Sequence, residues 1–306
     1  MNSVSTSTSW YVLGAGAMGC LWASYWRRSG IDVTLITRHS DPQKPLTLTS
    51  AGASTSQQFD IKTVSIDELQ RSAPTIRFLL VTTKSQQTLA ALAAISSHIA
   101  EDCSLIILQN GMASVAVKEA FAQHHVYTAI TSDGAYRTGP LAVTHAGRGT
   151  TYIDCPEQLL QRLPTAFLSI EHSDDINRRQ WRKLAINCCI NGLTAIYRCR
   201  NGELANLAGT QLQLLCAEVA AIVTALGEPT TAAALTQDVD LILATTAANY
   251  SSMHQDIEAR RETEITMLNG FLCQRAQILA IPCPENRRIC AAIEQLQQPS
   301  KPPAGH

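Results

Sequence analysis

Short apolar runs alternate with stretches of helical periodicity over about the first 170 residues of the chain. The β-branched apolar runs predict strands over residues 10–13, 32–37, 77–83, 104–108 and 126–132, and the stretches between them predict helices over residues 17–29, 85–100 and 113–122. Strands and helices that alternate at this spacing indicate a mostly parallel sheet covered on both faces. Two further runs, 141–145 and 150–154, are separated by AGRG and predict a hairpin that closes the domain.

The pattern changes at about residue 172, where strand-like runs end and long helical patterns begin. Helices are predicted over residues 174–197, 211–226, 231–248, 252–280 and 285–297. Gly227, Pro229, Pro282 and Pro284 lie between them and favour helix ends and turns. The fold class is therefore an α/β domain over residues 1–172 followed by an all-helical domain over residues 173–306. We expect residues 1–8 and 299–306 to be disordered tails.

The composition agrees with two soluble domains and excludes several kinds of protein. The chain has 306 residues, 45% of them hydrophobic, and a formal net charge of −1, which suits two domains of roughly 150 residues. A near-zero charge argues against a non-specific nucleic-acid binder, and the apolar runs are shorter than the ~18 residues of a membrane helix. The N-terminus has no basic segment ahead of an apolar one, so we expect a cytoplasmic protein that binds neither nucleic acid nor membrane.

The 10 cysteines do not have the spacing of a site. None stands in a C-x-x-C pair, and no histidine cluster has metal-ligand spacing. Most lie among apolar neighbours, as Cys188 and Cys189 do, where a thiol behaves as a small hydrophobic group. We expect reduced structural cysteines and no metal.

A glycine-rich turn joins the first predicted strand to the first predicted helix. Gly14, Gly16 and Gly19 form G-x-G-x-x-G in the segment Gly14, Ala15, Gly16, Ala17, Met18, Gly19. In this context one glycine makes the turn, one admits a pyrophosphate, and one lets helix and strand pack closely, while the helix N-terminus offers free N–H groups. We interpret the turn as part of a Rossmann-type dinucleotide-binding domain; the alternative is a purely structural turn.

The second strand gives a hint of the cofactor's identity. NAD-binding domains usually have Asp or Glu at the end of this strand, whereas here it ends in Arg38 and the next acid is Asp41. A guanidinium suits a 2′-phosphate, so NADP(H) is the favoured cofactor. The alternative for Arg38 is an ordinary solvated surface side chain.

A polar stripe crosses an otherwise apolar helix in the second domain. Lys183, Asn187 and Asn191 are spaced i, i+4, i+8, and the residues between them are apolar. Buried amides and an ammonium are costly unless they have partners, so such a stripe usually faces a wet cleft or a polar ligand. The alternative is a structural network that links helices.

A second stripe of four-residue spacing follows at Ser252, Asp256, Arg260 and Glu264. Alternating acids and bases are typical of a solvated helix, and we interpret Asp256, Glu258, Arg260 and Arg261 in that way. Glu264 differs because its neighbours Ile265, Met267, Leu268 and Phe271 place it beside the apolar face.

Polar residues also end two strands of the first domain. Thr82-Thr83-Lys84 and Gln109-Asn110-Gly111 follow RFLLV and SLIIL, at the carboxyl ends where open α/β sheets bind ligands. We expect both groups at the edge of the cofactor, with ordinary turn chemistry as the alternative.

Taken together, these motifs resemble the ketopantoate (2-dehydropantoate) 2-reductase family over nearly the whole chain. The matching segments are LGAGAMG at 13–19, VTTKSQQ at 81–87, LQNGM at 108–112, WRKLAINCCINGLTAIYRCRNGEL at 181–204, NYSSMHQDI at 249–257 and TEITMLNGFL at 263–272. The resemblance implies that NADPH reduces 2-dehydropantoate to (R)-pantoate, a step toward pantothenate and coenzyme A.

The resemblance also implies residue roles. Lys183 is the general acid that protonates the ketone oxygen, and Glu264 binds the substrate hydroxyl and helps place Lys183. The implied substrate-binding set is Asn110, Asn187, Asn191, Asn201, Asn249 and Ser252, with Asn201 and Asn249 the weaker candidates. The implied cofactor-binding set is Gly14, Ala15, Gly16, Ala17, Met18, Gly19, Arg38, Lys84, Gln87 and Asn110. Gly192 departs from members that have proline there, and we expect it to loosen the helix.

Two other functions stay open at this point. One is an NADPH-dependent reductase of a different branched 2-oxo acid, since nothing in the sequence measures pocket volume. The other is a non-catalytic NADPH-binding sensor, which would be expected to have lost Lys183 or Glu264. The chain is expected to be a monomer or a homodimer.

Overall fold

The computed structural model describes residues 9–38, 44–72 and 74–298. The chain separates into two compact units, with the division between Ile176 and Asn177. The expected disordered tails, 1–8 and 299–306, lie outside the described residues, as does Asp41.

The first unit is an α/β fold. Its elements are β1 (Trp10–Leu13), α1 (Ala17–Arg28), β2 (Val33–Thr37), β3 (Leu46–Ser50), β4 (Ser56–Phe59), β5 (Lys62–Ser65), α2 (Ile66–Ser72), β6 (Ile76–Val81), α3 (Thr88–Ala94), β7 (Ile99–Leu108), α4 (Ala113–Ala120), β8 (His125–Thr131), β9 (Gly134–Gly139), β10 (Ala142–Gly147), β11 (Thr150–Ile153), α5 (Glu157–Leu160) and β12 (Ser169–His172). Short 3-10 turns cover Ser85–Gln87 and Ser96–His98.

Eight strands form the main sheet, in the order β12-β11-β8-β7-β6-β1-β2-β5. All neighbours are parallel except β8 and β11, which are antiparallel. In β1, Leu13 pairs with Ile36 of β2 and with Val81 of β6, so three strand ends meet at one edge of the sheet. The predicted α/β class with a mostly parallel sheet is confirmed.

A second sheet of four strands, β4-β3-β10-β9, was not predicted. The predicted hairpin is wrong: β10 pairs antiparallel with β9 and parallel with β3, while β11 belongs to the main sheet. Strand β4 has the sequence SQQF and is mostly exposed, so it lacks the apolar alternation that marks a half-buried strand.

Helix α1 is held rigidly in the core of the first unit. Trp22 and Trp26 are fully buried, and the ring of Trp26 stacks on Trp10 of β1 with centroids 4.5 Å apart. The hydroxyl of Tyr25 and Nδ1 of His145 on β10 form a 2.7 Å hydrogen bond. Because α1 is fixed against both sheets, the turn ahead of its N-terminus has a defined position.

The second unit is helical throughout its described residues. Its elements are α6 (Ile176–Tyr197), a 3-10 turn (Asn201–Glu203), α7 (Leu204–Ala225), α8 (Ala232–Thr245), α9 (Ser252–Glu258), a 3-10 turn (Ile265–Met267), α10 (Asn269–Ile278) and α11 (Pro284–Gln297). By length and composition, one stretch of the described residues, Asn201–Ala225, could cross a membrane, and 44% of its most apolar window is buried in the structure. Core helices of compact proteins pass the same test.

Two predicted helices are shorter than expected. The single helix predicted over residues 252–280 is wrong: α9 ends at Glu258, Arg260 has a positive φ of 50°, and α10 starts at Asn269. The helix predicted over 85–100 is limited to α3 with a 3-10 turn on each side, since β7 already begins at Ile99.

The expected loosening of the helix at Gly192 is also wrong. Helix α6 runs unbroken through Gly192, and a Cβ there would overlap the side chain of Ile289.

Candidate active site

The glycine turn has the shape that a phosphate-binding loop needs. Gly14 has φ +110°, which side-chain-bearing residues rarely adopt, and a Cβ there would lie 2.9 Å from the backbone nitrogen of Thr83. A Cβ at Gly19 would overlap the carbonyl oxygen of Gly14 and lie 2.6 Å from Oγ1 of Thr82. Each of the two glycines is therefore required by the packing of the loop itself.

Gly16 is different because its surroundings are open. The nearest atom to a Cβ at Gly16 is the carbonyl oxygen of Thr82, at 3.8 Å, and no side chain caps the N-terminus of α1. The backbone N–H groups of the first turn, around Ala17, Met18 and Gly19, have no intrahelical acceptor in a helix of this kind. A glycine with free space, next to backbone N–H groups that have no acceptor in the helix, is suited to binding a pyrophosphate.

Hydrogen bonds join the loops that follow β1, β6 and β7. The hydroxyl of Thr82 donates to the carbonyl of Gly14 at 2.8 Å. Nε2 of Gln109 donates to the carbonyl of Thr83 at 2.6 Å, and Oγ of Ser85 donates to the carbonyl of Asn110 at 2.7 Å. Gln109 belongs to a group expected at the edge of the cofactor, whereas Ser85 was not predicted as a site residue, although it also follows an apolar strand.

Two of the expected cofactor residues contact each other. Nη2 of Arg38, which follows β2, donates to Oε1 of Gln87 at 2.6 Å. Lys84 and Asn110 are half-buried at the same edge, directly after β6 and β7. The sheet therefore gathers the expected cofactor-binding residues of the first unit at the carboxyl ends of adjacent parallel strands.

In the second unit, α6 carries the predicted polar stripe. Lys183, Asn187 and Asn191 lie on one unbroken helix, so their spacing puts them on one face. Lys183 and Asn187 are half-buried, and Asn191 is 7% exposed. Leu184, Cys188 and Cys189 beside them are fully buried, so the stripe is a narrow polar line on a core helix.

Lys183 is a titratable group whose pKa the second unit lowers. Burial lowers its pKa from 10.5 to about 8, and the carboxylate of Glu264 acts in the opposite direction by stabilising the ammonium. Glu264 is half-buried and directly precedes the 3-10 turn Ile265–Met267. The structure thus brings Lys183 and Glu264 together although they do not share a helix.

The other expected substrate residues lie on segments tied to each other or to α6. The amide nitrogen of Asn201 donates to the carbonyl of Asn249 at 3.0 Å, and Nδ2 of Asn201 donates to Thr246 at 2.8 Å. Asn201 is buried, whereas Asn249 and Ser252 are exposed.

The N-terminus of α9 is attached to α6 through a residue that sequence reasoning missed. Ser251 caps α9 by accepting from the amide of His254 at 3.1 Å, and it lies 2.7 Å from the hydroxyl of Thr194 on α6. Both hydroxyls are buried. A serine directly before a predicted helix is an N-cap signal that could have identified Ser251 as the cap.

One expected surface residue is buried. Asp256 is 9% exposed and accepts a 2.9 Å hydrogen bond from Nε of Arg261, so its interpretation as a solvated side chain is wrong. Glu258, Arg260 and Arg261 are exposed. The four-residue spacing could not separate these cases, because the helix ends before Arg260.

The described residues contain no group of three or more His, Cys, Asp or Glu side chains arranged to hold a metal ion. All ten cysteines are free thiols, eight of them buried. Burial raises the pKa of the Cys20 thiol to about 11, which keeps it protonated at neutral pH.

The fold and these residues define a class: an oxidoreductase with a Rossmann-type α/β domain followed by a helical domain. The family model described as "Ketopantoate reductase PanE/ApbA" matches residues 10–158, and its C-terminal counterpart matches residues 175–297. The chain belongs to the ketopantoate reductase family, and the resemblance seen in its motifs is confirmed.

Individual proteins agree with the family models. A 2-dehydropantoate 2-reductase from Vibrio cholerae serotype O1 is 32% identical over 296 residues, which cover 94% of this chain and 97% of that protein. The crystal structure of a PanE/ApbA family ketopantoate reductase from Ralstonia eutropha is 26% identical, with a TM-score of 0.84 over 95% of this chain and 98% of that one. A ternary structure of D-mandelate dehydrogenase with NADH and anilino(oxo)acetate is 22% identical, covers 95% and 98% of the two chains, and has the same fold with a TM-score of 0.87.

Proposed function

We propose that this protein reduces 2-dehydropantoate to (R)-pantoate with NADPH, in the synthesis of pantothenate and coenzyme A. The observation that carries the proposal is the pair formed by Lys183 and Glu264 in a chain that belongs to the ketopantoate reductase family. A half-buried lysine with a pKa near 8, beside a carboxylate, is suited to giving up a proton at neutral pH.

The proposed proton donor is Lys183. As a ketone carbon is reduced, negative charge develops on its oxygen, and a positive, proton-bearing group at that oxygen stabilises the transition state. With a pKa of about 8, roughly nine in ten Lys183 side chains carry the proton at pH 7. The lowered pKa also makes the transfer easier than it would be from an ordinary lysine.

Glu264 has two proposed tasks. Its charge favours the ammonium form of Lys183, which keeps the donor loaded. An oxygen of the Glu264 carboxylate can also accept a hydrogen bond from the hydroxyl of the substrate. Asn187 and Asn191, one and two turns along α6, offer amides to the carboxylate and carbonyl of a 2-oxo acid, and Asn110, Asn201, Asn249 and Ser252 complete the proposed substrate-binding set.

NADPH, when bound, supplies the hydride. Its proposed holders are the amides of the turn from Gly14 to Gly19, with Arg38 and Gln87 at the 2′-phosphate and Lys84 and Asn110 at the ribose and nicotinamide. The open space at Gly16 and the 2.6 Å contact between Arg38 and Gln87 support this assignment. Residues 1–172 are the proposed cofactor domain and residues 173–306 the proposed substrate domain.

The direct test is loss of NADPH absorbance on addition of 2-dehydropantoate, repeated with NADH and with 2-oxoisovalerate. We expect turnover with NADPH, weaker turnover with NADH, and discrimination against 2-oxoisovalerate of up to about 10⁴-fold, because a site built to bind a hydroxyl rejects a substrate without one. Absence of NADPH consumption with both oxo acids would remove the proposal. Preference for 2-oxoisovalerate would reassign the substrate to another branched 2-oxo acid.

We also propose a cytoplasmic monomer or homodimer whose only partners are small molecules. The near-zero net charge supports the absence of nucleic-acid binding. Light scattering after gel filtration distinguishes the two assembly states, and cell fractionation tests the location.

A further inference from the structure

Asn269 connects the segment that carries Glu264 to the helix that carries Lys183. It is the first residue of α10 and is completely buried. Its Nδ2 donates a 2.9 Å hydrogen bond to the backbone carbonyl of Cys188 on α6. This is a side-chain bond between two elements, so it fixes their separation in a way that apolar packing alone does not.

Each residue of this bond lies the same number of positions after one residue of the proposed catalytic pair. Cys188 follows Lys183 by five residues on α6, and Asn269 follows Glu264 by five residues. The backbone of Glu264 is tied to the start of α10, since the amides of Met267 and Leu268 both donate to its carbonyl, at 3.0 and 3.1 Å. A shift of Asn269 along α6 would therefore move Glu264 relative to Lys183.

Two further side chains hold Asn269 in its orientation. Its Nδ2 also donates to Oδ1 of Asn286 on α11 at 3.0 Å, and Asn286 is itself completely buried. Nδ2 of Asn286 donates to Glu218 on α7 at 3.0 Å, and the same carboxylate accepts from the amides of Glu285 and Asn286. The chain of bonds thus runs from α7 through α11 and α10 to α6.

Apolar contacts also hold α6 against α10 and α11. The rings of Trp181 on α6 and Phe271 on α10 have centroids 6.0 Å apart. Gly192 leaves room for Ile289 of α11 to pack directly on α6. These contacts bring the helices together, and the Asn269 bond adds a directed donor that specifies their register.

We propose that Asn269 is a positioning residue that sets the placement of Glu264 against Lys183. This role rests on the proposed function, because it matters for catalysis only if that pair performs the proton transfer. Asn269 acts through Glu264 and does not itself contact the substrate.

The variant that tests this role is Asn269→Leu, which keeps the branching at Cγ and the number of side-chain heavy atoms and removes both N–H donors. We expect kcat to fall by roughly ten- to a hundredfold, as small displacements of a catalytic group commonly cause, with little change in the affinity for NADPH. The matched control is Val239→Ala, a fully buried change on α8 that lowers the melting temperature without touching this network. The control should retain most of its kcat.

A double-mutant cycle separates positioning from general destabilisation. If Asn269 acts through Glu264, Asn269→Leu should lower kcat much less in a Glu264→Gln background than in the wild type. Equal fold-losses in the two backgrounds would overturn the proposal, since they would mean that Asn269 contributes independently of Glu264. If Asn269→Leu does not fold, Asn286→Leu, which removes the brace but keeps the bond to Cys188, should give a smaller loss with the same dependence on Glu264.

A second readout does not depend on turnover. Competitive acetylation of lysines over a pH series, followed by peptide mass spectrometry, titrates Lys183 in the protein without substrate. We expect Asn269→Leu to lower the pKa of Lys183, because the carboxylate that raises it is displaced, and Val239→Ala to leave that pKa unchanged. An unchanged pKa in Asn269→Leu would contradict the positioning role. An inactive wild type in which the pKa shift is still observed would instead contradict the proposed reaction.

Discussion

Arg38 and Gln87 lie 49 positions apart in the chain, yet Nη2 of the arginine donates to Oε1 of the glutamine at 2.6 Å. Arg38 follows β2 and Gln87 lies in the 3-10 turn after β6, two strands that flank β1 in the sheet. The amide restricts an otherwise exposed guanidinium to the edge of the sheet where a dinucleotide would bind.

This pair predicts the cofactor preference. Arg38→Ala should reduce kcat/KM for NADPH by roughly ten- to a hundredfold, because a charge-assisted hydrogen bond contributes about 1.5–3 kcal/mol. The value for NADH should change little, since NADH has no 2′-phosphate. Gln87→Ala should have a smaller effect in the same direction, and Arg71→Ala, at an exposed arginine of α2, serves as the control. Steady-state kinetics with both nucleotides measure the ratio, and a parallel loss with NADH would remove the role of Arg38.

Substitutions in the glycine turn should affect stability and NADPH binding separately, depending on which glycine is changed. Gly16→Ala should fold with a nearly unchanged melting temperature, because its Cβ has 3.8 Å of space, but it should bind NADPH more weakly. Gly19→Ala should be destabilised by about 1–3 kcal/mol, since its Cβ would overlap the carbonyl oxygen of Gly14. Thermal denaturation and titration of NADPH fluorescence measure the two effects. A Gly16→Ala variant with wild-type affinity would show that phosphates do not approach this glycine.

The sequence predicted α6 and its polar stripe well because one helical period runs without interruption from Ile176 to Tyr197. It predicted the main sheet for a similar reason: β1, β6 and β7 are fully apolar at their carboxyl ends, as buried parallel strands are. The residue roles were implied by the resemblance to the family and remain predictions, since periodicity alone gives no role.

Other parts could not be predicted from local pattern. The helix break between α9 and α10 contains no proline or glycine, and Arg260 takes its positive φ from tertiary context. The second sheet depends on pairing between β3 and β10, which are distant in sequence, and its exposed strand β4 has no apolar face. Asn269 lies in a predicted helix, and no local pattern indicates the 2.9 Å hydrogen bond that its Nδ2 donates to the carbonyl of Cys188.

Removal of the proposed proton donor has a specific expected outcome. Lys183→Ala should lower kcat by about 10²–10⁴-fold, the usual contribution of a general acid, while NADPH binding is retained. Lys118→Ala is the control, because that lysine forms an exposed ion pair with Asp154 and lies outside the proposed site. Single-turnover kinetics and a fluorescence titration distinguish a loss of chemistry from a loss of binding. A Lys183→Ala enzyme with nearly wild-type kcat would contradict the assignment.

The pH dependence follows from the lowered pKa of Lys183. Reduction of the ketone requires the protonated amine, so kcat/KM for the oxo acid should be constant below the pKa of about 8 and fall tenfold for each pH unit above it. Oxidation of pantoate requires the free amine and should show the reverse, rising with pH up to about 8. Because the carboxylate of Glu264 raises the pKa of Lys183, Glu264→Gln should move both profiles to lower pH. Rate profiles in the two directions, with wild type and variant in the same buffers, measure the shift. An alkaline limb at the ordinary lysine pKa of 10.5, unmoved by Glu264→Gln, would mean that Lys183 is not the group that transfers the proton.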